Sequence, residues 1–186
     1  MFSRIDNEPD LWCVLARSCD ENDIHVDVCE ELLVNGDLND DLIRVIKVDR
    51  YYGNCKLKET PKSVDCLIVI KCADGGYGVY LVELRNAGSS KGVRPTDILS
   101  KFRNTFEDFL IRRFPEIFGS EDFNVNFVLA WLVTDPFRGR GLPAAVYDRK
   151  IKGTVLDVYQ TQKPFRWRTF SILIKPELPN PEICVC

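Results

Sequence analysis

The chain has 186 residues, a net charge of −3 and a sequence pI near 5.3. This length permits one domain with a sizeable core, and the weakly acidic balance excludes a general attraction to nucleic acid, so any such contact needs a local basic patch. No apolar run reaches the length of a membrane span, and residues 1–10 lack the apolar segment of a signal peptide. We therefore expect a cytoplasmic protein with one domain over residues 1–186, whose eight cysteines are reduced and mostly buried.

The first part of the chain predicts two helices and one strand. Residues 11–18 fit a short helix. Residues 22–35 fit a second helix, because aliphatic side chains recur every four residues and Gly36 follows where a C-terminal cap belongs. Residues 42–52 alternate partially between apolar and polar side chains, which predicts a strand.

Residues 63–86 contain two runs of β-branched and aromatic residues on either side of a turn-forming sequence at 74–76. This pattern predicts a β-hairpin. With the turn centred there, Asp65 falls opposite Arg85, within a residue or two of register. Because opposed residues share a face and side chains alternate with period two, Asp65, Glu83 and Arg85 lie together on one face. The other positions are apolar on both faces, which is typical of strands covered on both sides.

The second half of the chain predicts a long helix and three strands. Residues 95–114 carry a stripe of mostly aromatic side chains three and four residues apart, which indicates a helix that buries one face, and Pro115 ends it. Residues 124–134 predict a buried strand. Residues 136–153 are expected to form the longest connection. Two further strands are expected at residues 154–159 and 168–175, followed by a peripheral tail over residues 176–186.

Two interpretations of the charged cluster follow from these residues. Arg85 can neutralise Asp65 and Glu83 at the end of a strand and have no further role, because buried acids are often paired with arginine. Alternatively the cluster is functional, since perturbed charges concentrate at functional sites. The hairpin does not separate the two interpretations.

The order of the predicted elements favours a functional interpretation. An acid at the start of the second core strand, Asp65, is followed by Glu83-x-Arg85 at the end of the third, then by an amphipathic helix and a strand. This arrangement resembles the PD-(D/E)xK nuclease superfamily, which includes many type II restriction endonucleases. The resemblance covers about residues 22–134 and depends on element order as much as on the residues. It implies an α/β fold with a restriction-endonuclease-like αβββαβ core, a central mixed sheet flanked by helices, and residues 135–186 packed onto it.

The resemblance also implies a metal site and a reaction. Asp65, Glu83 and the backbone carbonyl of Leu84 would hold Mg²⁺ or Mn²⁺, which prefer hard oxygen ligands. An outer acid would come from the first core helix, with Glu31 preferred over Glu30. The implied activity is hydrolysis of DNA phosphodiester bonds by a small restriction or repair-type endonuclease. If both strands of a duplex are cut, a homodimer is the simplest assembly.

Arg85 stands where the family has lysine, and Val64 stands where it commonly has proline. Arginine is a poor general base because it stays protonated, but it orients water and stabilises negative charge. Asp65, Glu83 and Arg85 are therefore the expected catalytic residues. A displaced lysine would take the missing role, and three lysines that also fit an ordinary surface position are candidates: Lys62, Lys91 and Lys101.

Two basic segments favour contact with nucleic acid. Residues 137–141 form a Gly-Arg loop, and residues 162–168 interleave cations with aromatic side chains, including Trp167, which suits phosphate contact and base stacking. A solvated loop and a charged strand edge also explain these segments. The expected DNA-binding residues are Lys91, Lys101, Arg138, Arg140, Arg166 and Arg168. Two alternatives stay open, a catalytically degenerate nuclease fold that binds nucleic acid or protein, and an unrelated α/β protein with a structural ion cluster.

Overall fold

The structure, a computed structural model, describes residues 1–55, 59–86, 93–136 and 142–186. Its centre is a six-stranded sheet whose strands stand side by side in chain order. The strands are β1 (Leu15–Ala16), β2 (Ile43–Lys47), β3 (Cys66–Lys71), β4 (Tyr77–Arg85), β5 (Val125–Thr134) and β6 (Ile174–Glu177). Neighbours from β1 to β4 pair antiparallel, whereas β5 pairs parallel with both β4 and β6.

Helices connect the parallel strands and cover the sheet. A parallel pair needs a crossover connection, which the helical residues 95–118 supply between β4 and β5. Among the described helices, we find none with the length and apolar character that a bilayer crossing requires. The helices are α1 (Phe2–Asn7), α2 (Pro9–Trp12), α3 (Val48–Asn54), α4 (Pro95–Asn104) with its π-helical continuation Thr105–Arg113, α5 (Pro115–Phe118), α6 (Ala144–Ile151) and α7 (Asp157–Thr161).

Both faces of the central strands are buried. In β3, Leu67 and Val69 belong to the core cluster that contains the aromatic side chains of α4. Ile68 and Ile70 belong to a second cluster on the opposite face, which includes Leu32 from the segment before β2. The protein is therefore a mixed α/β structure with a central mixed sheet flanked by helices.

The predicted hairpin is confirmed as β3 and β4. Cys66 pairs with Val82, which places Asp65 opposite Glu83 rather than opposite Arg85. The register differs from the expected one by two positions. Because this shift is even, the three charged side chains stay on the face expected from the sequence.

The long helix and the strand after it are also confirmed. The predicted helix over residues 95–114 corresponds to α4 and its π-helical continuation, and its aromatic stripe is buried. The predicted strand over residues 124–134 corresponds to β5.

Four predictions of secondary structure were wrong. The predicted short helix over residues 11–18 is replaced by α2, which ends at Trp12, and by β1 at Leu15–Ala16. The predicted helix over residues 22–35 contains short strands at Ile24–His25 and Asp27–Val28 and a 3₁₀ turn at Glu30–Leu32. The predicted strand over residues 42–52 ends at Lys47, where α3 follows. The predicted strand at 154–159 overlaps α7, and the connection at 136–153 contains α6. In each case tertiary packing overrides a local pattern that fits more than one structure.

The expectation of reduced cysteines and a peripheral tail was wrong as well. Disulfides join Cys19 to Cys66 and Cys72 to Cys186. The tail also adds a parallel strand, Glu182–Ile183, beside Asp27–Val28. The disulfide therefore fixes the last residue to the hairpin, and backbone pairing fixes the tail to Asp27–Val28. Both partners are distant in sequence, so the local pattern does not predict them.

Candidate active site

Two carboxylates stand side by side on the face of the sheet that α4 covers. Asp65 directly precedes β3, and Glu83 lies opposite it near the end of β4. Asp65 is 8% exposed and Glu83 is 0% exposed. Asp65 Oδ2 accepts a hydrogen bond from the backbone N–H of Leu84 at 2.6 Å, which fixes the orientation of this carboxylate. The structure therefore brings together the two acids that the sequence placed on one face.

Lys101 neutralises this pair from the helix above. Its Nζ donates to both carboxylate oxygens of Glu83, at 2.8 and 2.9 Å, and lies 3.8 Å from Asp65 Oδ1. Of the two candidate lysines that the structure describes, Lys101 lies at the acids. Lys62 forms a surface ion pair with Asp97 instead, and Lys91 lies outside the described residues.

Arg85 forms a second close contact with the same acid. Its Nε lies 2.7 Å from Glu83 Oε1, yet this Nε has no hydrogen-bond partner among the described residues, because its N–H does not point at the carboxylate. The Arg85 side chain is 35% exposed. The guanidinium therefore balances the charge of Glu83 and keeps an unused donor.

A buried threonine links the helix that carries Lys101 to the segment that precedes β3 and contains Asp65. Thr105 Oγ1 donates to the backbone carbonyl of Lys101 at 2.9 Å and accepts from the backbone N–H of Val64 at 3.2 Å. Thr105 is also where α4 changes into a π-helix, a distortion that is frequent at functional sites. The lysine is thus positioned by the backbone next to Asp65.

Burial disfavours the charged forms of both acids. Burial, and then the charge of Asp65, raise the pKa of Glu83 to about 8, although Lys101 and Arg85 oppose the shift. Burial raises the pKa of Asp65 to about 6, although Lys101 and the Leu84 N–H oppose it. In metal-free protein at neutral pH, the pair therefore tends to retain a proton.

The oxygen atoms of this site suit a hard divalent cation. Within the described ranges, no three His, Cys, Asp or Glu side chains cluster closely enough to hold a metal. The donor set is therefore Asp65 and Glu83, with the carbonyl of Leu84 and water to complete it. Mg²⁺ is commonly bound in this way, by one or two carboxylates and several waters. The residues fit Mg²⁺ or Mn²⁺, but the cation would compete with Lys101 for the oxygens of Glu83.

Glu31, the expected outer acid, does not join this pair. It is exposed and lies in a 3₁₀ turn rather than on a helix. The acids whose charge raises the pKa of Asp65, in addition to burial, are Glu21 and Asp49. Neither acid could be predicted from the local pattern, because Glu21 lies in a two-residue strand and Asp49 in a helix that was predicted as a strand.

The structure places one of the expected DNA-binding residues, Arg166, at the surface. Arg166 is exposed beside an open cavity of about 350 Å³ that Arg103 and Lys163 also line. The predicted Arg138 and Arg140 lie outside the described residues. A basic groove near α4 therefore exists around Arg166.

Arg168 and Trp167 serve the interior of the protein. The Arg168 guanidinium donates to the backbone carbonyls of Phe118, Ser120 and Phe123 at 2.7 to 3.2 Å. Trp167 is buried and contacts Phe123. These contacts favour a structural role for both residues over contact with phosphate or bases.

Searches of protein families, of curated proteins and of solved structures return no match for this chain. The functional interpretation therefore depends on the residues themselves. Asp65, Glu83, Lys101 and Arg85 form a cluster of two acids and two cations at the end of the hairpin.

Proposed function

We propose that the protein is a divalent-metal-dependent endonuclease of the PD-(D/E)xK type that hydrolyses phosphodiester bonds in duplex DNA. The observation that carries this proposal is the position of Lys101, which contacts both oxygens of Glu83 and faces Asp65. The lysine that is missing from the motif is thereby replaced from α4.

A restriction-endonuclease-like core is part of the same proposal. Strands β2, β3 and β4 form an antiparallel meander, and a helical crossover leads to the parallel strand β5, which is the order expected from the resemblance. The chain departs from that order at its first helix, where a 3₁₀ turn stands.

Each charged residue has a role in such a reaction. Asp65, Glu83 and the Leu84 carbonyl would hold the cation, which when bound polarises the attacking water and neutralises phosphate oxygens. The Lys101 ammonium orients the attacking water through a hydrogen bond. Arg85, with a free Nε–H and a partly exposed side chain, stabilises the charge that develops on the phosphate. Burial strengthens these interactions because the local dielectric is low.

One observation favours the degenerate alternative, a fold that binds nucleic acid or protein without cleavage. Lys101 already occupies both oxygens of Glu83, so the ion cluster is balanced without a metal. A divalent cation must displace this ammonium to coordinate Glu83. If it does not, the cluster is structural.

A nicking assay on supercoiled DNA of varied sequence, with Mg²⁺ or Mn²⁺, tests the proposal. We expect the parent to nick, and Glu83→Gln and Lys101→Met to lose about 10²–10³-fold in rate, the usual effect of removing a group that stabilises transition-state charge. Lys62→Met, a nearby lysine in a surface ion pair, is the control and should match the parent. Nicking that survives in Glu83→Gln would contradict the assignment. Binding of DNA without nicking by the parent would favour the degenerate alternative.

A further inference from the structure

Three buried hydrogen-bond donors near the ion cluster have no hydrogen-bond partner among the described residues. They are Thr134 Oγ1, Tyr159 Oη and Arg85 Nε. Thr134 and Tyr159 are both 0% exposed. Buried polar groups are nearly always hydrogen-bonded, so three such donors in one region indicate a missing acceptor.

The three donors lie around the carboxyl ends of β4 and β5. Arg85 and Thr134 are directly opposed in the parallel ladder and are the last residues of their strands. Opposed residues share a face, so Thr134 lies on the face that carries Glu83. Tyr159 comes from α7, which contacts β6, and its side chain belongs to the same core cluster as Leu132. Burial, and then the charge of Glu83, raise the pKa of its hydroxyl, whereas Arg85 opposes the shift. The carboxyl ends of parallel strands are a common place for ligands.

We propose that Thr134, Tyr159 and Arg85 form a subsite for the non-bridging oxygens of a phosphodiester. Guanidinium donates and does not accept, which excludes a cation as the ligand of this subsite. A phosphate offers several acceptor oxygens and matches arginine in charge and geometry. Of the three side chains, that of Arg85 is partly accessible, at 35% exposed.

A fourth unpaired donor does not belong to this subsite. Gln162 Nε2 is also without a partner in the described part of the chain. However, Gln162 lines the cavity that contains Arg103 and Phe165, on the side of α4 where Arg166 is exposed. The subsite is therefore limited to the three donors at the strand ends.

This subsite deepens the proposed function, because it names residues that would hold the phosphate next to the acids. Its test uses inorganic phosphate, with titration calorimetry and thermal melting of the metal-free protein and chloride at equal ionic strength as reference. We expect the parent to bind phosphate and Tyr159→Phe to bind about tenfold more weakly, as loss of one hydrogen bond to a charged ligand implies. Since the lost hydroxyl is unpaired, Tyr159→Phe should melt no lower than the parent.

Tyr52→Phe is the matched control. Tyr52 is equally buried, but its hydroxyl donates to Asp108 at 2.8 Å on another part of the core. This variant should melt lower and bind phosphate like the parent. Thr134→Val, which keeps the shape of the side chain, is the second subsite variant and should also weaken phosphate binding.

The outcomes separate this inference from the proposed function. Equal phosphate binding by the parent, Tyr159→Phe and Thr134→Val, or no phosphate binding by the parent, would overturn the subsite, and ordered water would then be the partner of these donors. If phosphate binding depends on Tyr159 while neither the parent nor any variant nicks DNA, the subsite stands and the nuclease proposal fails. If the parent nicks DNA and Tyr159→Phe matches it in nicking and in phosphate binding, the nuclease proposal stands and the subsite fails.

Discussion

Replacing Lys101 by methionine should destabilise the metal-free protein, and more so at high pH. The ammonium contacts both oxygens of Glu83 at 2.8 and 2.9 Å and its side chain is 17% exposed. Methionine retains the apolar stem of the side chain, so the change isolates the charge. Removing one partner of a buried ion pair costs about 3–5 kcal/mol, because the other charge stays buried.

Two features of the site reduce this cost. Arg85 stays at 2.7 Å from Glu83, and Glu83 escapes the penalty by taking up a proton. The pKa of Glu83 is already raised to about 8 by burial, so protonation is easy at pH 6 and difficult at pH 9. We therefore expect a loss near the lower limit, about 3 kcal/mol, at pH 9 and a smaller loss at pH 6.

The assay is thermal melting in a chelating buffer at both pH values. For a protein of this size, about 3 kcal/mol corresponds to a fall in Tm of about 6–12 °C. Lys62→Met is the control, because Lys62 pairs with Asp97 in an exposed ion pair, which contributes little to stability. Equal melting of Lys101→Met and the parent at pH 9 would refute the reasoning, since it would mean that the carboxylates do not depend on this cation.

Three further predictions follow from the same structure. First, because the pKa of Glu83 is raised, the folded state binds more protons than the unfolded state between about pH 4.5 and 8. The stability of the metal-free protein should therefore fall as pH rises through this window, and the fall should be shallower for Glu83→Gln. Parallel pH profiles of Tm for the parent and the variant would contradict this. Second, Thr105→Val leaves the buried N–H of Val64 unpaired and should lower the free energy of unfolding by about 1–3 kcal/mol in urea titrations, whereas an unchanged midpoint would show that the bond is unimportant. Third, reduction of the Cys72–Cys186 disulfide should cost about 2–5 kcal/mol, which Cys186→Ser should reproduce; a reductant that leaves the Tm of the parent unchanged would exclude this bond in solution.

The hairpin and the two acids could be predicted because their signals are local. Turn residues and period-two alternation define β3 and β4. Alternation also assigns Asp65 and Glu83 to one face, because a register shift of two positions does not move a side chain to the other face. The helix α4 was predictable for the same reason, because its apolar stripe recurs at helical spacing.

The first core helix was mispredicted because its pattern is ambiguous. Ile24, Val28 and Leu32 are four residues apart, which is close to one turn of a helix and also two periods of a strand. In the structure all or part of each side chain is buried, but the backbone forms short strands and a turn. With no helix there, Glu31 does not lie beside Asp65, and the acids whose charges act on Asp65 come from other segments of the chain.

The lysine of the site was uncertain for a different reason. Lys101 is 18 residues from Glu83 in the chain, and only the packing of α4 on the sheet brings the two together. Three lysines fit equally well before the fold is known, because sequence spacing does not specify how a helix lies across a sheet. Tyr159, a residue of the proposed subsite, was harder still to find, since α7 was predicted as a strand.

The net charge of the site fits a structural ion cluster as well as a metal site, so other features must separate the two interpretations. Asp65, Glu83, Lys101 and Arg85 sum to zero when all are ionised, which is why a simple ion cluster fits the same residues. A simple cluster, however, gives no reason for the unpaired donors of Thr134 and Tyr159 beside it. A divalent cation would bring two excess positive charges, which a phosphodiester and the free donors around it would offset. Under the proposed function, cation and DNA therefore strengthen each other's binding, and by thermodynamic reciprocity each raises the affinity of the other by the same factor.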